Sequence, residues 1–111
     1  MAMNKPTVWA IDLDGTICPR IKGDAYEETR PYLEVVNNIN KLYDRGDKII
    51  IFTARGTTTG KDWGDFTYKQ LKGWGVRFHE LQVGKPEADW FVDDKAFNPR
   101  SDLWGDGYEH K

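Results

Sequence analysis

Short apolar runs that end in polar or acidic residues most constrain how this chain can fold. Residues 8–13 read VWAIDL, residues 49–52 read IIIF before Thr53, and residues 89–92 read DWFV before Asp93 and Asp94. Nearly continuous apolar runs are typical of strands buried on both faces of a parallel sheet. The sequence therefore predicts strands at these three places and a further strand within residues 76–83.

Two helices are predicted between the strands. Apolar residues recur at spacings of three and four over residues 32–43, after Pro31, which suits a first helical position, and before Gly46, which suits a left-handed stop. A second helix is predicted over residues 65–74, with Asp65 as its cap and Gly75 as its stop.

This order of elements predicts the fold class and the domain organisation. Strands that alternate with helices favour an α/β fold, in which a parallel sheet carries helices on both faces. At 111 residues the chain is expected to be one domain, with a core of about 7–100 and a polar tail of 101–111. Residues 17–29 and 56–64 are predicted loops.

Composition excludes several classes of function. The formal charge of -2 offers no basic surface for nucleic acid, and no run approaches the ~20 apolar residues of a membrane span. Cys18 is the single cysteine, and the N-terminus lacks a secretory signal. We therefore expect a cytoplasmic protein with neither a nucleic-acid nor a membrane partner.

Polar residues follow the predicted strands, and the carboxyl ends of parallel strands share one edge of a sheet. Asp12 and Asp14, Thr53, and the pair Asp93–Asp94 should therefore converge there. Carboxylates this close repel one another, and a hard cation such as Mg²⁺ would resolve the repulsion.

Other residues near this edge suit an anion such as phosphate. Thr53 offers a hydroxyl and Lys85 a cation, while Gly15 permits a tight turn whose amides can face an anion. Each signal also has a plain structural interpretation. Asp-Gly is a common turn, Thr53 could cap a helix, Lys85 could be solvated, and Asp12 could be a passive metal ligand.

Four motifs in order resemble the haloacid dehalogenase superfamily of phosphohydrolases over about residues 7–100. They are DLDGTI at 12–17, IIIFT at 49–53 continued by Ala54-Arg55, VGKP at 83–86 and FVDD at 91–94. No insertion long enough for a cap domain follows the first or second motif. The segments FTARGTTTG at 52–60 and VGKPEADWFVDDKA at 83–96 are similar to small capless phosphatases of capsule and surface-polysaccharide gene clusters.

The resemblance implies a three-layer Rossmann-like core without a cap, and a role for each motif residue. Asp12 would be the nucleophile that forms an aspartyl-phosphate, and Asp14 the general acid and base. Thr53, the adjoining Ala54, Gly15 and Lys85 would bind phosphate oxygens.

The resemblance also implies the metal ligands. Asp12 and the backbone carbonyl of Asp14 would bind Mg²⁺ with the fourth motif, in which Asp94 is favoured as the direct ligand and Asp93 as a second or water-bridged one.

The activity implied is Mg²⁺-dependent hydrolysis of a phosphomonoester, with a sugar-phosphate-like metabolite of polysaccharide biosynthesis as the expected substrate. A nucleotide or macromolecular substrate, and a catalytically idle phosphate-binding module, are the alternatives. Because the site lacks a cap, a homo-oligomer is expected to cover it.

Several residues near the motifs have competing interpretations. Arg55 is either a substrate ligand or a solvated loop residue. Cys18 is predicted to be packed instead of nucleophilic, because no histidine lies near it in sequence. His79 and His110 lack the spacing of a zinc site. Packing is the default for Trp63, Phe66, Tyr68 and Trp90.

Overall fold

The computed structural model describes residues 7–57, 59–83 and 89–92. Within them, four parallel strands form one sheet in the order β3-β2-β1-β4. The strands are β1 (Val8–Asp12), β2 (Lys48–Thr53), β3 (Glu80–Val83) and β4 (Trp90–Val92). β1, β3 and β4 lie within predicted runs, and β2 extends one residue beyond its run at each end, so the α/β class and the parallel sheet are confirmed.

Two α-helices connect the first three strands. Helix α1 spans Leu33–Asp44 between β1 and β2, and helix α2 spans Gly64–Gly73 between β2 and β3. A short 3-10 turn at Tyr26–Glu28 interrupts the predicted loop of 17–29. Within the described residues, no helix is long and apolar enough to cross a membrane.

The helix stops were predicted correctly and the helix starts were not. Gly46 and Gly75 follow α1 and α2 with φ of 102° and 82°, the left-handed conformation that glycine adopts without strain. Pro31 precedes the helix, which begins at Leu33 after Tyr32. Asp65 lies inside the first turn of α2, and Trp63 holds the cap position without a side-chain bond. Asp65 therefore places a negative charge near the helix N-terminus instead of capping it.

Strand register determines which side chains form the core. Trp9 pairs with Ile49 and Ile11 with Ile51, so all four lie on one face of the sheet. They belong to one buried cluster that includes helix residues of both α1 and α2 (Val35, Val36, Ile39, Leu42 and Leu71). Because β1, β2 and β3 succeed one another in the same direction across the sheet, right-handed crossovers put both helices on this face.

A buried polar contact joins the start of β1 to the turn before β2. The indole Nε1 of Trp9 donates to Asp47 Oδ2 at 2.9 Å, and Arg45 Nε donates to the same oxygen at 2.7 Å. Trp9 is fully buried and Asp47 nearly so. The Asp47 carboxylate, with both of these donors, thus lies at the amino end of the sheet, opposite the edge that carries the candidate site.

Candidate functional site

The carboxyl ends of β1 and β2 carry the residues that the sequence singled out. Asp12 ends β1 opposite Phe52, and Thr53 ends β2 one residue further along. A cavity of about 390 Å³ opens at this edge. Its lining comprises Asp12, Asp14, Arg20, Ile21, Tyr26, Phe52, Thr53, Ala54 and Arg55. The structure thus brings Asp12, Asp14 and Thr53 together at one cavity, as the convergence of parallel strands predicted. Ala54, which the resemblance implied, lines the same cavity.

The turn after β1 brings Asp14 back beside Asp12. Leu13 continues the sheet by donating its amide to the Phe52 carbonyl at 3.1 Å. The Leu13 carbonyl then accepts the Ile17 amide at 2.9 Å, which closes a tight turn. Gly15 sits in this turn with a φ of 93° and donates its amide to the Cys18 carbonyl at 2.7 Å. The expected tight turn is present, and the Gly15 amide donates within it, so this amide is not available for the phosphate contact that the resemblance implied.

Thr53 is buried, and its hydroxyl is held in place by the following backbone. The Thr53 Oγ1 accepts a hydrogen bond from the Arg55 amide at 3.0 Å. A hydroxyl accepts through its lone pairs and still carries one hydrogen to donate. Thr53 therefore lines the cavity with a hydroxyl that still has a hydrogen to donate, the property needed to bind a phosphoryl oxygen.

The structure excludes one of the two interpretations of Arg55 that the sequence left open, that of a solvated loop residue. The Arg55 side chain is 0% exposed and forms a two-pronged ion pair with Asp14. Nε donates to Asp14 Oδ2 at 2.9 Å, and Nη2 donates to Oδ1 at 2.9 Å. Arg55 is therefore not a solvated loop residue, although it lines the cavity. It is a buried partner of Asp14.

Cys18 is buried beneath the same turn, as predicted. Its Sγ lies 3.5 Å from Asp14 Oδ1. Burial, followed by the negative charge of Asp14, raises the pKa of the Cys18 thiol to about 12. Because the thiolate is the reactive form, this environment opposes any nucleophilic role for Cys18.

The donor chemistry of the described site suits a hard cation but does not complete a metal site. Asp12 and Asp14 offer the oxygen ligands that Mg²⁺ takes, often one or two carboxylates together with water and phosphate. The described residues contain no group of three or more His, Cys, Asp or Glu side chains placed to hold a metal. The predicted ligands Asp93 and Asp94, and the predicted phosphate ligand Lys85, lie outside the described residues.

Four further residues shape the site and were missed by the sequence analysis. Arg20 and Tyr26 line the cavity from a segment without periodicity, so no sequence signal indicated them. Thr67 and Gln70 bind Arg55 from α2. Their three-residue spacing could have placed them on one face of the predicted helix, but nothing in the sequence indicated that Arg55 lay opposite.

Aromatic and histidine side chains near the site pack as expected. Trp63 contacts Tyr26 edge-on with ring centroids 4.7 Å apart, and Phe66 contacts Trp63 in the same way at 5.3 Å. Tyr68 packs edge-on against Phe78. His79 accepts the Ile49 amide through Nδ1 at 3.0 Å, which is a structural role. His110 and the side chain of Trp90 lie outside what the structure describes.

Comparisons with known proteins support the fold without adding chemistry. No protein-family model matches the chain, and no curated protein matches it. The structure is similar to a crystal structure of a target protein from Vibrio cholerae, with a TM-score of 0.66 and 26% sequence identity over 84% of each chain. That protein is described without an activity, so the similarity bears on the architecture alone.

Proposed function

We propose that this protein is a Mg²⁺-dependent phosphomonoester hydrolase that forms an aspartyl-phosphate on Asp12. The observation that carries the proposal is the grouping of Asp12, Asp14 and Thr53 around one cavity at the ends of adjacent strands. The order of motifs that resembles the haloacid dehalogenase superfamily supports the same assignment. The proposal includes a three-layer core without a cap, of which the parallel sheet and one helical layer are described.

The chemistry assigns a separate task to each side chain. An oxygen of Asp12 attacks phosphorus, the bond from phosphorus to the substrate oxygen breaks, and Asp14 gives that oxygen a proton. In the second step Asp14 takes a proton from water, the water oxygen attacks phosphorus, and Asp12 is released with inorganic phosphate. Thr53 donates its hydroxyl hydrogen to a phosphoryl oxygen, where charge stabilisation lowers the barrier.

The proposal places Mg²⁺ beside the two aspartates of the first motif. Asp12 and the Asp14 carbonyl would hold it, with Asp93 and Asp94 as the further proposed ligands. When bound, the ion would offset the negative charge between the carboxylates and the phosphate oxygens. Lys85 is proposed to bind the same phosphate oxygens.

The size of the cavity favours a small substrate. Its volume of about 390 Å³ lies near the lower end of the ~300–1,000 Å³ range of small-molecule sites. A sugar-phosphate-like metabolite fits that range and agrees with the resemblance to phosphatases of surface-polysaccharide clusters. Hydrolysis of a panel of sugar phosphates and nucleotides would separate this substrate class from the nucleotide alternative.

One observation favours a second candidate, a phosphate-binding module without turnover. Arg55 engages both oxygens of Asp14, and a proton-transferring carboxyl must present one oxygen to the substrate. Oδ1 also accepts from Cys18 Sγ, but Oδ2 accepts from Arg55 Nε and can accept a further hydrogen bond, so the pairing is compatible with catalysis. The pairing is equally compatible with a site that binds phosphate without catalysing hydrolysis.

Hydrolysis of p-nitrophenyl phosphate with and without Mg²⁺ tests the proposal. We expect Mg²⁺-dependent release of p-nitrophenol by the wild type, and loss of more than ~99% of it in Asp12→Asn, because no nucleophilic carboxylate remains. Asp44→Asn is the matched control, since Asp44 is an exposed aspartate in α1. Titration calorimetry with inorganic phosphate distinguishes the second candidate, which would bind phosphate without hydrolysing the ester.

The open site leaves room for a neighbouring subunit. We propose a homo-oligomer in which another copy of the chain limits access to the cavity. Light scattering coupled to size exclusion tests this, and a monomer at micromolar concentration would count against it.

A further inference from the structure

Arg55 links three parts of the chain around the candidate acid-base residue. Arg55 lies two residues after the end of β2. Its side chain pairs with Asp14 in the turn after β1 and donates hydrogen bonds to side chains of α2. From α2, Thr67 Oγ1 and Gln70 Oε1 accept hydrogen bonds from Arg55 Nη1 at 3.2 and 2.9 Å. Four of the five N–H donors of a guanidinium are thus used.

The Tyr26 ring packs against one face of the Arg55 guanidinium. The Arg55 Cζ lies 4.2 Å from the centroid of the Tyr26 ring, within the range of a cation–π contact. Gln70 also donates its Nε2 to the Tyr26 carbonyl at 2.8 Å. The guanidinium is therefore held in its plane by hydrogen bonds and above it by a ring, which leaves it little freedom to turn towards a ligand.

The ends of the Arg55–Asp14 pair differ in exposure, and that difference indicates which residue meets the substrate. Both residues line the cavity, but the Arg55 side chain is 0% exposed, whereas the Asp14 side chain is 18% exposed. A two-pronged guanidinium–carboxylate pair fixes the plane of the carboxyl group as well as its position. The buried arginine thus sets the direction in which the free lone pairs of Asp14 point.

We propose that Arg55 is a positioning residue that aims Asp14 at the substrate oxygen and does not itself bind the substrate. This inference rests on the proposed function, because it assigns Arg55 a task within the acid-base step. The logic is that of a base oriented by a third group, as in catalytic triads. Removing Arg55 should therefore impair proton transfer by Asp14 more than attack by Asp12.

The dependence of rate on the leaving group tests this assignment. A poor leaving group such as the alkoxide of β-glycerophosphate needs a proton from Asp14, while 2,4-dinitrophenolate leaves without one. General acid catalysis contributes about 10²–10⁴-fold. Arg55→Met should therefore lower kcat/KM, which reflects transfer to Asp12 and not the later step in which Asp14 acts as a base, at least ~100-fold for β-glycerophosphate and less than ~10-fold for 2,4-dinitrophenyl phosphate. An equal loss on both substrates would overturn the proposal, since a purely structural defect does not distinguish leaving groups.

Two further variants control the experiment. Arg77→Met also removes a two-pronged arginine–aspartate pair, with Asp44, but that pair is exposed, and we expect unchanged kcat/KM on both substrates. Arg55→Lys keeps the charge and loses the two-pronged geometry. It should show a smaller but still selective loss on β-glycerophosphate, and full activity in this variant would contradict a positioning role.

A measurement that needs no activity separates failure of this inference from failure of the proposed function. We expect the losses of Tm in Asp14→Asn and Arg55→Met to be strongly non-additive in the double variant, because the pair is lost in either single variant. Additive losses would show that the pair is absent in solution and would overturn the inference even in an active enzyme. A wild type that hydrolyses no phosphomonoester refutes the proposed function, and with it the acid-base task assigned to Arg55.

Discussion

Gly56 offers a sharp test of the loop that flanks the candidate site. It has a φ of 85°, and a Cβ at this position would overlap the Lys61 carbonyl oxygen and lie 3.3 Å from Trp63 Cδ1. Gly60, four residues on, has a φ of 79°, and a Cβ added there would meet nothing within 4 Å. Gly56→Ala and Gly60→Ala therefore share the strain of a left-handed alanine, and only Gly56→Ala adds an overlap with backbone.

The expected losses of stability have two sources, the strain of a left-handed alanine and the overlap of its Cβ with neighbouring atoms. A left-handed conformation costs alanine about 1–2 kcal/mol, and this cost should be nearly the same in both variants. Forcing an extra methyl group into packed atoms costs about 1–3 kcal/mol more. We therefore expect Gly56→Ala to be less stable than Gly60→Ala by about 1–3 kcal/mol, which corresponds to a Tm lower by ~4–12 °C in a domain of this size.

Thermal unfolding followed by circular dichroism, with urea denaturation as a second measure, would give these values. Equal stabilities of Gly56→Ala and Gly60→Ala would refute the close approach of Lys61 to Gly56. The variants also report on the site, because Trp63 packs against Tyr26 at the cavity wall. A raised KM for p-nitrophenyl phosphate is expected in Gly56→Ala alone.

Three further predictions concern the turn and the core. Ellman's reagent should react with Cys18 slowly at pH 8 in the folded protein and rapidly in ~6 M guanidinium chloride, and fast reaction in the folded state would contradict the burial of this thiol. The pKa of Cys18 is raised from its ordinary 9.0 to about 12, so the stability it contributes is present below pH 9.0 and is lost as pH rises towards 12. Cys18→Ala should therefore show a smaller fall in Tm between pH 8 and pH 10.5 than the wild type. An identical fall would refute the raised pKa of Cys18. Trp9→Phe should lower the free energy of unfolding in urea by about 2–4 kcal/mol, because it leaves the charged Asp47 short of a buried donor and creates a small void. A loss below ~1 kcal/mol would show that the bond is not formed, and Trp74→Phe, in a half-buried tryptophan, is the control.

The strands and helix stops could be predicted because they depend on local properties of the chain. Buried parallel strands need apolar side chains on both faces, so residues 49–52 read as a strand without knowledge of their neighbours. Gly46 and Gly75 were predictable because a left-handed residue after a helix favours glycine. The helix starts were less predictable, since neither α1 nor α2 uses a side-chain cap.

Part of the candidate site was also predictable from topology alone. Asp12 and Thr53 are the last residues of adjacent parallel strands, and this places both at one edge of the sheet. Tyr26 could not be found in this way. It lies in an irregular segment, and its contact with the Arg55 guanidinium depends on the path of that loop in space.

The sequence by itself determined the α/β class, the parallel strands and the edge at which Asp12, Asp14 and Thr53 meet, because apolar periodicity and strand direction fix these locally. Only the tertiary structure decided the task of Arg55. Its partners on α2 lie 12 and 15 residues away and its partner Asp14 lies 41 residues away, at distances over which chain order sets no geometry. Burial then turned a residue with two competing interpretations into the fixed partner of Asp14, because a guanidinium removed from water must satisfy its donors within the protein.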